Sequence, residues 1–417
     1  MPPPEDTGNS EPEPGIVIGT REQLLHLLAE AAEIEHTLMC SYLYAAFSLK
    51  HQGEVGLTET ERQAVARWRK VIMDVAVEEM GHLVVVANLT VAVGGRPHFS
   101  RPNFPVLPGY FPSGVSVRLS PFTAETLQHF IFLERPQGVE GTESDAFVQD
   151  DYQREQARPG LMPSAQDYAT IGHLYEAIRT NLIALDRYFG SKALFPGGAE
   201  SQLGREAIDL KGVSPIVDLT SAEAAIDVIV EQGEGSRADR QDSHYCSFLL
   251  IQKELAELTD ANLDFAPAWP VADSPVLRRP PEAEGKVFID YPDAAALLDF
   301  GCATYGLLLR CIVQCFGRSG TDGRAEQTSL MSTAIDLMHV LGEVSTTLVR
   351  LPASRADCNV NVGMTFTMLR SVEPLLPGNV ERHLLRERAE SLARSGDGVS
   401  TKARDALDRA VETLRRL

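Results

Sequence analysis

The stretch MDVAVEEMGHLVVVANLTVAVGG, residues 73–95, decides the fold of this chain. Its apolar residues are dense enough to predict a long buried helix that ends at the two glycines. Glu79 and His82 lie three residues apart, so they project from one face of that helix, flanked by Val75 and Val86. A carboxylate and an imidazole that face a core need a partner, because burying an unpaired charge is costly. A metal ion would supply that partner.

The Glu-x-x-His pattern is weak evidence when it stands alone. It occurs by chance on many helices, and a surface glutamate beside a half-buried histidine is then the better explanation. The helix before it gives support: Thr20 and Gln23 predict its capping box, and Glu35 falls inside its apolar stripe. We expect His36 to pack or to support a ligand rather than to bind metal itself.

Composition and charge exclude several classes of partner. The chain has 58 acidic and 38 basic residues, a net charge of −20, which argues against nucleic acid and anionic membranes. We expect no apolar run of transmembrane length and no signal peptide, so the predicted location is cytoplasmic. The six cysteines contain no Cys-x-x-Cys pair, which disfavours zinc ribbons and disulfide frameworks.

The chain divides into four predicted segments. Residues 1–19 read as a disordered acidic tail, 20–265 as a helical bundle with inserted loops, 266–290 as a Pro-rich linker, and 291–417 as a helical extension that packs on the bundle. Six prolines at positions 97, 102, 105, 108, 112 and 121 predict extended and turn structure between 96 and 121. Further helices are predicted near 59–93 (capped by Thr58 and Glu61), 124–133, 164–188, 220–233, 244–258, 292–317, 325–350, 378–395 and 401–416.

The later helices carry further acidic and imidazole groups at corresponding places. These candidates are Glu176, Glu231, Glu234 and His244. Carboxylate-bridged di-metal bundles take one Glu from each of two helices and Glu-x-x-His from each of the other two. Gln241-Asp242-Ser243-His244 departs from that motif, and the glycines around Glu234 leave either Glu231 or Glu234 to fill the role. A mixed oxygen and nitrogen donor set suits iron or manganese better than zinc.

Several stretches in the same order resemble one family, the iminophenyl-pyruvate dimer synthases of violacein and indolocarbazole biosynthesis, over roughly residues 20–372. They are AAEIEHTLMCSYLYAAFS, VEEMGHLVVVANLTVAVGGRPHFSRPNFPVLPGYFP, SVRLSPFTAETLQHFIFLERP, DYATIGHLYEAIRTNL, LFPGGAESQL, and AAIDVIVEQGEGS followed by DSHYCSF. The resemblance implies an all-α, ferritin-like four-helix bundle with long Pro-rich loop insertions and additional C-terminal helices. It also implies a metal site made by Glu35, Glu79, His82, Glu231, Glu234 and His244, with Glu176 following less directly.

The leading hypothesis for function is a di-metal oxidoreductase of secondary metabolism. It would hold two irons, or manganese, and use O2 or peroxide on a small organic substrate, by oxidative coupling or oxidation of an amino-acid-derived imine or 2-oxo acid. Tyr42, Tyr175 and Tyr245 either line its cavity or pack as ordinary bundle residues. The alternatives are a metal-storage protein and a metal-free scaffold for a biosynthetic enzyme. With each of these three functions, the chain could form a homodimer or bind a biosynthetic partner enzyme.

Two features depart from the pathway enzymes that the chain resembles. Those enzymes carry this module within a much longer polypeptide. In addition, NVNVGMTFTML, residues 359–369, stands where the resemblance places a GPTF-like run. This second departure predicts an altered pocket wall.

Overall fold

The computed structural model describes residues 16–417 except 52, 55, 108–109, 112–115, 148–167, 169, 234–242, 281–284, 319, 369, 371, 377 and 397, and only the backbone of 321. The described residues form eleven α-helices and one two-stranded sheet. The predicted all-α architecture is therefore confirmed. The predicted N-terminal tail, apart from its last four residues, lies outside the described part of the chain.

The helices follow one another with few interruptions. Their bounds are α1 Arg21–Ser48, α2 Glu59–Ala92, α3 Ala124–Leu133, α4 Ile171–Phe189, α5 Ser191–Leu194, α6 Leu219–Gly233, α7 His244–Ala261, α8 Pro292–Cys315, α9 Gly320–Leu348, α10 Asn379–Ser395 and α11 Thr401–Arg416. In the predicted linker, strand β1 (Pro275–Val276) pairs in parallel with β2 (Val287–Phe288). The described residues between 96 and 121 contain no helix, as the prolines there predict.

Capping boxes fix the starts of the two longest bundle helices. The backbone N–H of Gln23 donates to the Thr20 hydroxyl (3.2 Å), and the Gln23 side chain accepts from the Thr20 N–H (3.1 Å). Thr58 and Glu61 make the same reciprocal pair at the start of α2. Each box satisfies backbone donors that the first helical turn leaves unpaired. Both predicted helix starts are confirmed.

Helices α3 and α4 lie end to end along α1 and run antiparallel to it. The N–H of Phe122, just before α3, donates to the Ser48 hydroxyl at the end of α1 (2.8 Å). Further along, Tyr175 of α4 hydrogen-bonds Glu35, and Asn181 accepts from the N–H of Ile18 (2.8 Å). One helical position of the bundle is therefore filled by two separate helices.

Helices α6 and α7 are arranged in the same way along α2. Asn88, near the end of α2, donates to the carbonyl of Ser214, a few residues before α6 (3.1 Å). At the other end, the Asn262 side chain that follows α7 donates to Glu61 (2.7 Å). The bundle thus has two continuous helices, α1 and α2, and two that are interrupted near mid-length.

Some predicted helix ends are wrong by a few residues. Helix α4 begins at Ile171 rather than at 164, because the Thr170 side chain caps it by accepting from the N–H of His173 (3.2 Å). Helix α6 begins at Leu219 rather than at 220, because the Asp218 side chain accepts the N–H of Ser221 (2.8 Å). Helix α9 begins at 320 instead of 325. The starts of α4 and α6 depend on side-chain caps that the apolar period does not reveal.

The C-terminal helices form a second layer against α1. Helix α8 packs on α9, α10 on α8, and α11 on α9. The hydroxyl of Tyr305 on α8 contacts Nε2 of His36 on α1, as the predicted packing role of His36 requires. Gly363 approaches the ring of Tyr44, which is buried and donates its hydroxyl to the carbonyl of Ala272. The boundaries between the predicted segments remain predictions.

Two helices correct the expectation that no apolar run reaches transmembrane length. Both α2 and α8 are long and apolar enough by length and composition, but 83% and 61% of their most apolar windows are buried inside the protein. Helix α2 also carries the buried Glu79 and His82 within the bundle. Burial in the core explains the apolar character of these helices.

The contact between Gly363 and Tyr44 generates a stability prediction. A Cβ on Gly363 would lie 2.3 Å from the Tyr44 ring, which the hydroxyl bond to Ala272 holds in place. We expect Gly363→Ala to lower the free energy of unfolding by about 1–3 kcal/mol, as overpacked cores do. Gly342→Ala is the control, because a Cβ there meets nothing within 4 Å and lies in α9. Urea denaturation that shows Gly363→Ala as stable as the wild type would contradict this contact.

Candidate metal centre

Two groups of buried acidic and imidazole side chains meet in the middle of the bundle. Glu35, Glu79 and His82 form the first group, and Glu79, Glu134 and His244 form the second. Within each group, one ligand atom per residue lies within 4.8 Å of the others. Glu79 belongs to both. All five side chains are at most about 3% exposed, so water does not solvate their charges.

Glu79 divides its two oxygens between the histidines. Its Oε2 lies 3.2 Å from Nδ1 of His82, and its Oε1 lies 2.9 Å from Nδ1 of His244. The two imidazole rings stand 5.7 Å apart between centroids. One carboxylate that presents one oxygen to each of two nitrogen donors has the arrangement of a bridging ligand between two ions.

The two outer carboxylates repeat one pattern on either side of Glu79. Glu35 accepts a hydrogen bond from the Tyr175 hydroxyl through Oε1, while its Oε2 lies 3.3 Å from Nδ1 of His82. Glu134 accepts from the Tyr42 hydroxyl through Oε1, while its Oε2 lies 3.5 Å from Nδ1 of His244. Each tyrosine thus orients one carboxylate and leaves the other oxygen directed at the centre.

The far nitrogen of each imidazole has its own acceptor. Nε2 of His82 lies 3.2 Å from Oε1 of Gln232, and Nε2 of His244 lies 2.8 Å from Oε2 of Glu78. When Nε2–H donates to these oxygens, Nδ1 keeps its lone pair and points to the centre. The second interactions therefore set the tautomer that a metal ligand needs.

The groups shift one another's protonation strongly. Burial and the neighbouring Glu79 raise the pKa of Glu35 to about 8. Burial alone would lower the pKa of His82, but Glu79 and Glu35 raise it to about 10. In the same way, burial is outweighed by Glu134, Glu78 and Glu79, which raise the pKa of His244 well above its usual value. Without a metal ion, Glu35 and His82 are therefore protonated at neutral pH, and these protons reduce the repulsion between the buried carboxylates.

The donor set fits a pair of metal ions. Nδ1 of His244 is buried and makes no hydrogen bond with the described residues, although two carboxylate oxygens lie within 3.5 Å. Donor atoms that converge on one buried point are what a cation between them requires. Three carboxylates and two imidazoles supply an oxygen and nitrogen set that suits iron or manganese.

Four of the seven predicted ligands come together here: Glu35, Glu79, His82 and His244. Glu176 does not, because its side chain is exposed and interacts with Arg179 and Thr180. Glu231 is only partly buried and belongs to neither group, while the next residue, Gln232, contacts His82. Glu234 lies outside the described residues.

Sequence reasoning missed Glu134 and Gln232, although helical spacing points to both. Glu134 follows Leu127 by seven residues and Phe130 by four, so it extends the buried face of α3. Gln232 follows Ala225 by seven and Ile229 by three, which places it on the buried face of α6, one position beyond Glu231. The two predicted tyrosines Tyr42 and Tyr175 contact the site, and Tyr245 is half-buried on α7.

The centre lies at the breaks of the two interrupted helices. Glu134 caps the end of α3, and His244 opens α7. A cavity of about 20 Å³ beside Glu35, Glu79, His82 and Glu134 is also lined by residues from the start of α4 and the end of α6, among them Gly172 and Ile229. A cavity of this size holds about one water-sized molecule.

A family profile described as Ferritin-like matches residues 28–253, more than half of the chain. The chain belongs to the ferritin-like family. The match spans all five residues of the two groups, from α1 to the start of α7. The predicted ferritin-like fold class is confirmed, with two of its four helical positions split.

Two curated relatives of this ferritin-like chain have biosynthetic names. It is 29% identical to dichlorochromopyrrolate synthase from Lentzea aerocolonigenes, over 82% of this chain and 35% of that protein. It is 26% identical to 2-imino-3-(indol-3-yl)propanoate dimerase from Chromobacterium violaceum, over 87% of this chain and 34% of that protein. The chain thus spans about a third of the length of these relatives. A ferritin-like protein from Caulobacter vibrioides also aligns, with a TM-score of 0.46 and 18% identity over 83% of this chain and 98% of that one.

The shared position of Glu79 predicts a graded effect of mutations on metal content. Glu79→Gln should weaken the binding of both ions, because an amide lacks the second anionic oxygen. Glu35→Gln should weaken mainly the binding of the ion beside His82. Metal per chain after reconstitution with Fe(II) or Mn(II) is the measurement. Glu176→Gln, on the exposed face of α4, is the control and should bind like the wild type. Full metal content in Glu79→Gln would contradict the bridging role.

The raised pKa values predict that metal binding releases protons. Glu35 and His82, with pKa values of about 8 and 10, carry protons at pH 7 that a metal must displace. Affinity should therefore increase as the pH rises from 6 to 8. Calorimetry in buffers of different ionisation enthalpy measures the proton count. Binding that is independent of both pH and buffer would contradict the assigned protonation.

Proposed function

We propose that this chain is a metal-dependent oxidoreductase of secondary metabolism that holds two ions, iron or alternatively manganese. The observation that carries the proposal is the division of the Glu79 oxygens between Nδ1 of His82 and Nδ1 of His244. A buried carboxylate with that arrangement would serve as a ligand to both cations, one through each oxygen. When bound, the ions would supply Lewis acidity and electron transfer.

The residues around the centre would hold the donors in place and keep water out. Tyr42 and Tyr175 restrain the two outer carboxylates, and both hydroxyls have pKa values well above normal because of burial and the adjacent carboxylates, so they stay protonated as donors. Leu38, Ile171 and Ile229 line the small cavity with apolar surface. A dry, ordered shell strengthens electrostatic interactions and limits side reactions.

The relatives' names guide the choice of substrate. One is named as a synthase of dichlorochromopyrrolate and the other as a dimerase of an indolyl imine. We propose a small imine or 2-oxo acid derived from an aromatic amino acid as the substrate, with O2 or peroxide as the oxidant. Joining two such molecules with loss of two hydrogens releases two electrons and two protons, which convert O2 to hydrogen peroxide or peroxide to two waters.

The test combines metal analysis with oxygen uptake. Purified protein, reconstituted anaerobically with Fe(II) or Mn(II), is given the imine formed from indole-3-pyruvate and ammonium. Oxygen uptake and a coupled product are followed by electrode and mass spectrometry. His82→Ala should lose at least about tenfold in uptake, as expected for a disrupted metal site, while its helical circular dichroism persists. Glu176→Gln is the matched control and should keep full activity.

The alternative functions give different results in the same experiment. Many ions per chain without substrate consumption would indicate metal storage. No bound ion would indicate a metal-free scaffold. Two ions with unchanged uptake in His82→Ala would contradict the assignment of this centre to the reaction. Cytoplasmic location and a homodimer or partner enzyme remain predictions from the sequence.

A further inference from the structure

The second layer of the fold contains a cavity much larger than the one at the metal centre. It lies between α8, α10 and the chain around Thr367 and Met368, and its volume is about 560 Å³. Small-molecule sites typically measure about 300–1,000 Å³. The described residues beside the metal centre leave about 20 Å³.

Three arginines from three segments line this cavity. Arg310 comes from α8, Arg388 from α10, and Arg370 from the chain that connects α9 to α10. Neither Arg310 nor Arg388 forms an ion pair with any residue that the structure describes. Two acidic residues, Asp299 and Glu387, also line the cavity, so the guanidinium groups outnumber the carboxylates. In a chain of net charge −20, this is a local reversal of sign that favours an anion.

The wall of the cavity is held in a strained form. Phe366, next to the lining residue Thr367, has φ 47°, a value that residues with a bulky side chain rarely adopt. The buried Arg101 donates to the Phe366 carbonyl. Asn103 donates to the Met368 carbonyl (2.6 Å) and accepts from the Met368 N–H (2.8 Å). Strain of this kind is concentrated at ligand sites, where the surrounding structure enforces it.

The remaining surface of the cavity is suited to an apolar body. Leu384 of α10 is exposed and Leu375 is half-buried, and both provide aliphatic contacts beside the arginines. A planar guanidinium binds a carboxylate through two parallel hydrogen bonds, which fixes orientation as well as charge. An acid with an apolar ring would therefore satisfy both parts of the lining.

We propose that this cavity is a binding site for a small aromatic carboxylic acid, whose carboxylate pairs with Arg310 and Arg388 and whose ring lies on Leu375 and Leu384. The site is separate from the metal centre and does not require bound metal. The RPNFP run that contains Arg101 and Asn103 supports its wall, since both side chains bond to residues 366–368.

Calorimetric titration with indole-3-propanoate, and with its neutral amide indole-3-propanamide, tests the proposal. The acid should bind at least tenfold more tightly than the amide. Arg310→Gln and Arg388→Gln should each weaken binding of the acid at least tenfold. Arg394→Gln is the matched control, because Arg394 is an exposed arginine of α10 that does not line the cavity. Because Arg388 is exposed, Arg388→Gln should fold normally, and its affinity for the acid tests the proposal even if Arg310→Gln folds poorly.

Glu79→Gln separates this proposal from the proposed function. The acid should bind this variant with unchanged affinity, even where its metal content is lost. Equal binding of acid and amide, no binding of the acid, or wild-type affinity in both Arg310→Gln and Arg388→Gln would overturn the proposal. Loss of binding in Glu79→Gln would also overturn it, because the acid would then bind at the metal centre.

Discussion

The Glu79 carboxylate, buried between two imidazoles, is the interaction on which the rest of the bundle depends. Taking a carboxylate out of water costs several kcal/mol unless other charges and hydrogen bonds replace the lost solvation. His82 and His244 provide that replacement from opposite sides, and His82 keeps the pKa of Glu79 well below its usual value although burial would raise it. The outer carboxylates, their tyrosines, and the acceptors Gln232 and Glu78 extend this compensation outward.

The interrupted helices follow from the same requirement. Two continuous helices would present Glu-x-x-His from regular turns, as α2 does. In this chain Glu134 comes from the end of α3 and His244 from the start of α7, so helix termini deliver two of the five donors. Helix ends leave backbone groups unpaired, and here Thr170 and Ser243 cap the new starts of α4 and α7.

The C-terminal layer adds a second chemical environment to the fold. Its large cavity is lined by arginines and leucines, whereas the cavity at the candidate metal centre is small and lined by carboxylates. Tyr305 belongs to the cavity lining, and its hydroxyl contacts His36, the residue after Glu35. The two environments therefore approach α1 at consecutive residues, Glu35 and His36. Thr367 and Met368, in the stretch 359–369 that departs from the expected family pattern, line this cavity, and the altered pocket wall stays a prediction.

The sequence by itself determined the elements with strong local signals. The capping boxes at Thr20 and Thr58, the apolar period of α2, and the buried position of Glu35 all follow from neighbours within a few residues, and all are confirmed. Tertiary structure alone decided which side chains complete the centre. Glu134 and Gln232 join the centre only because α3 lies along α1 and α6 lies along α2. Glu176 faces solvent, because the apolar stripe of α4 lies on another face of that helix. Helical period shows which face is buried, but the partner of a buried polar group depends on how distant segments pack.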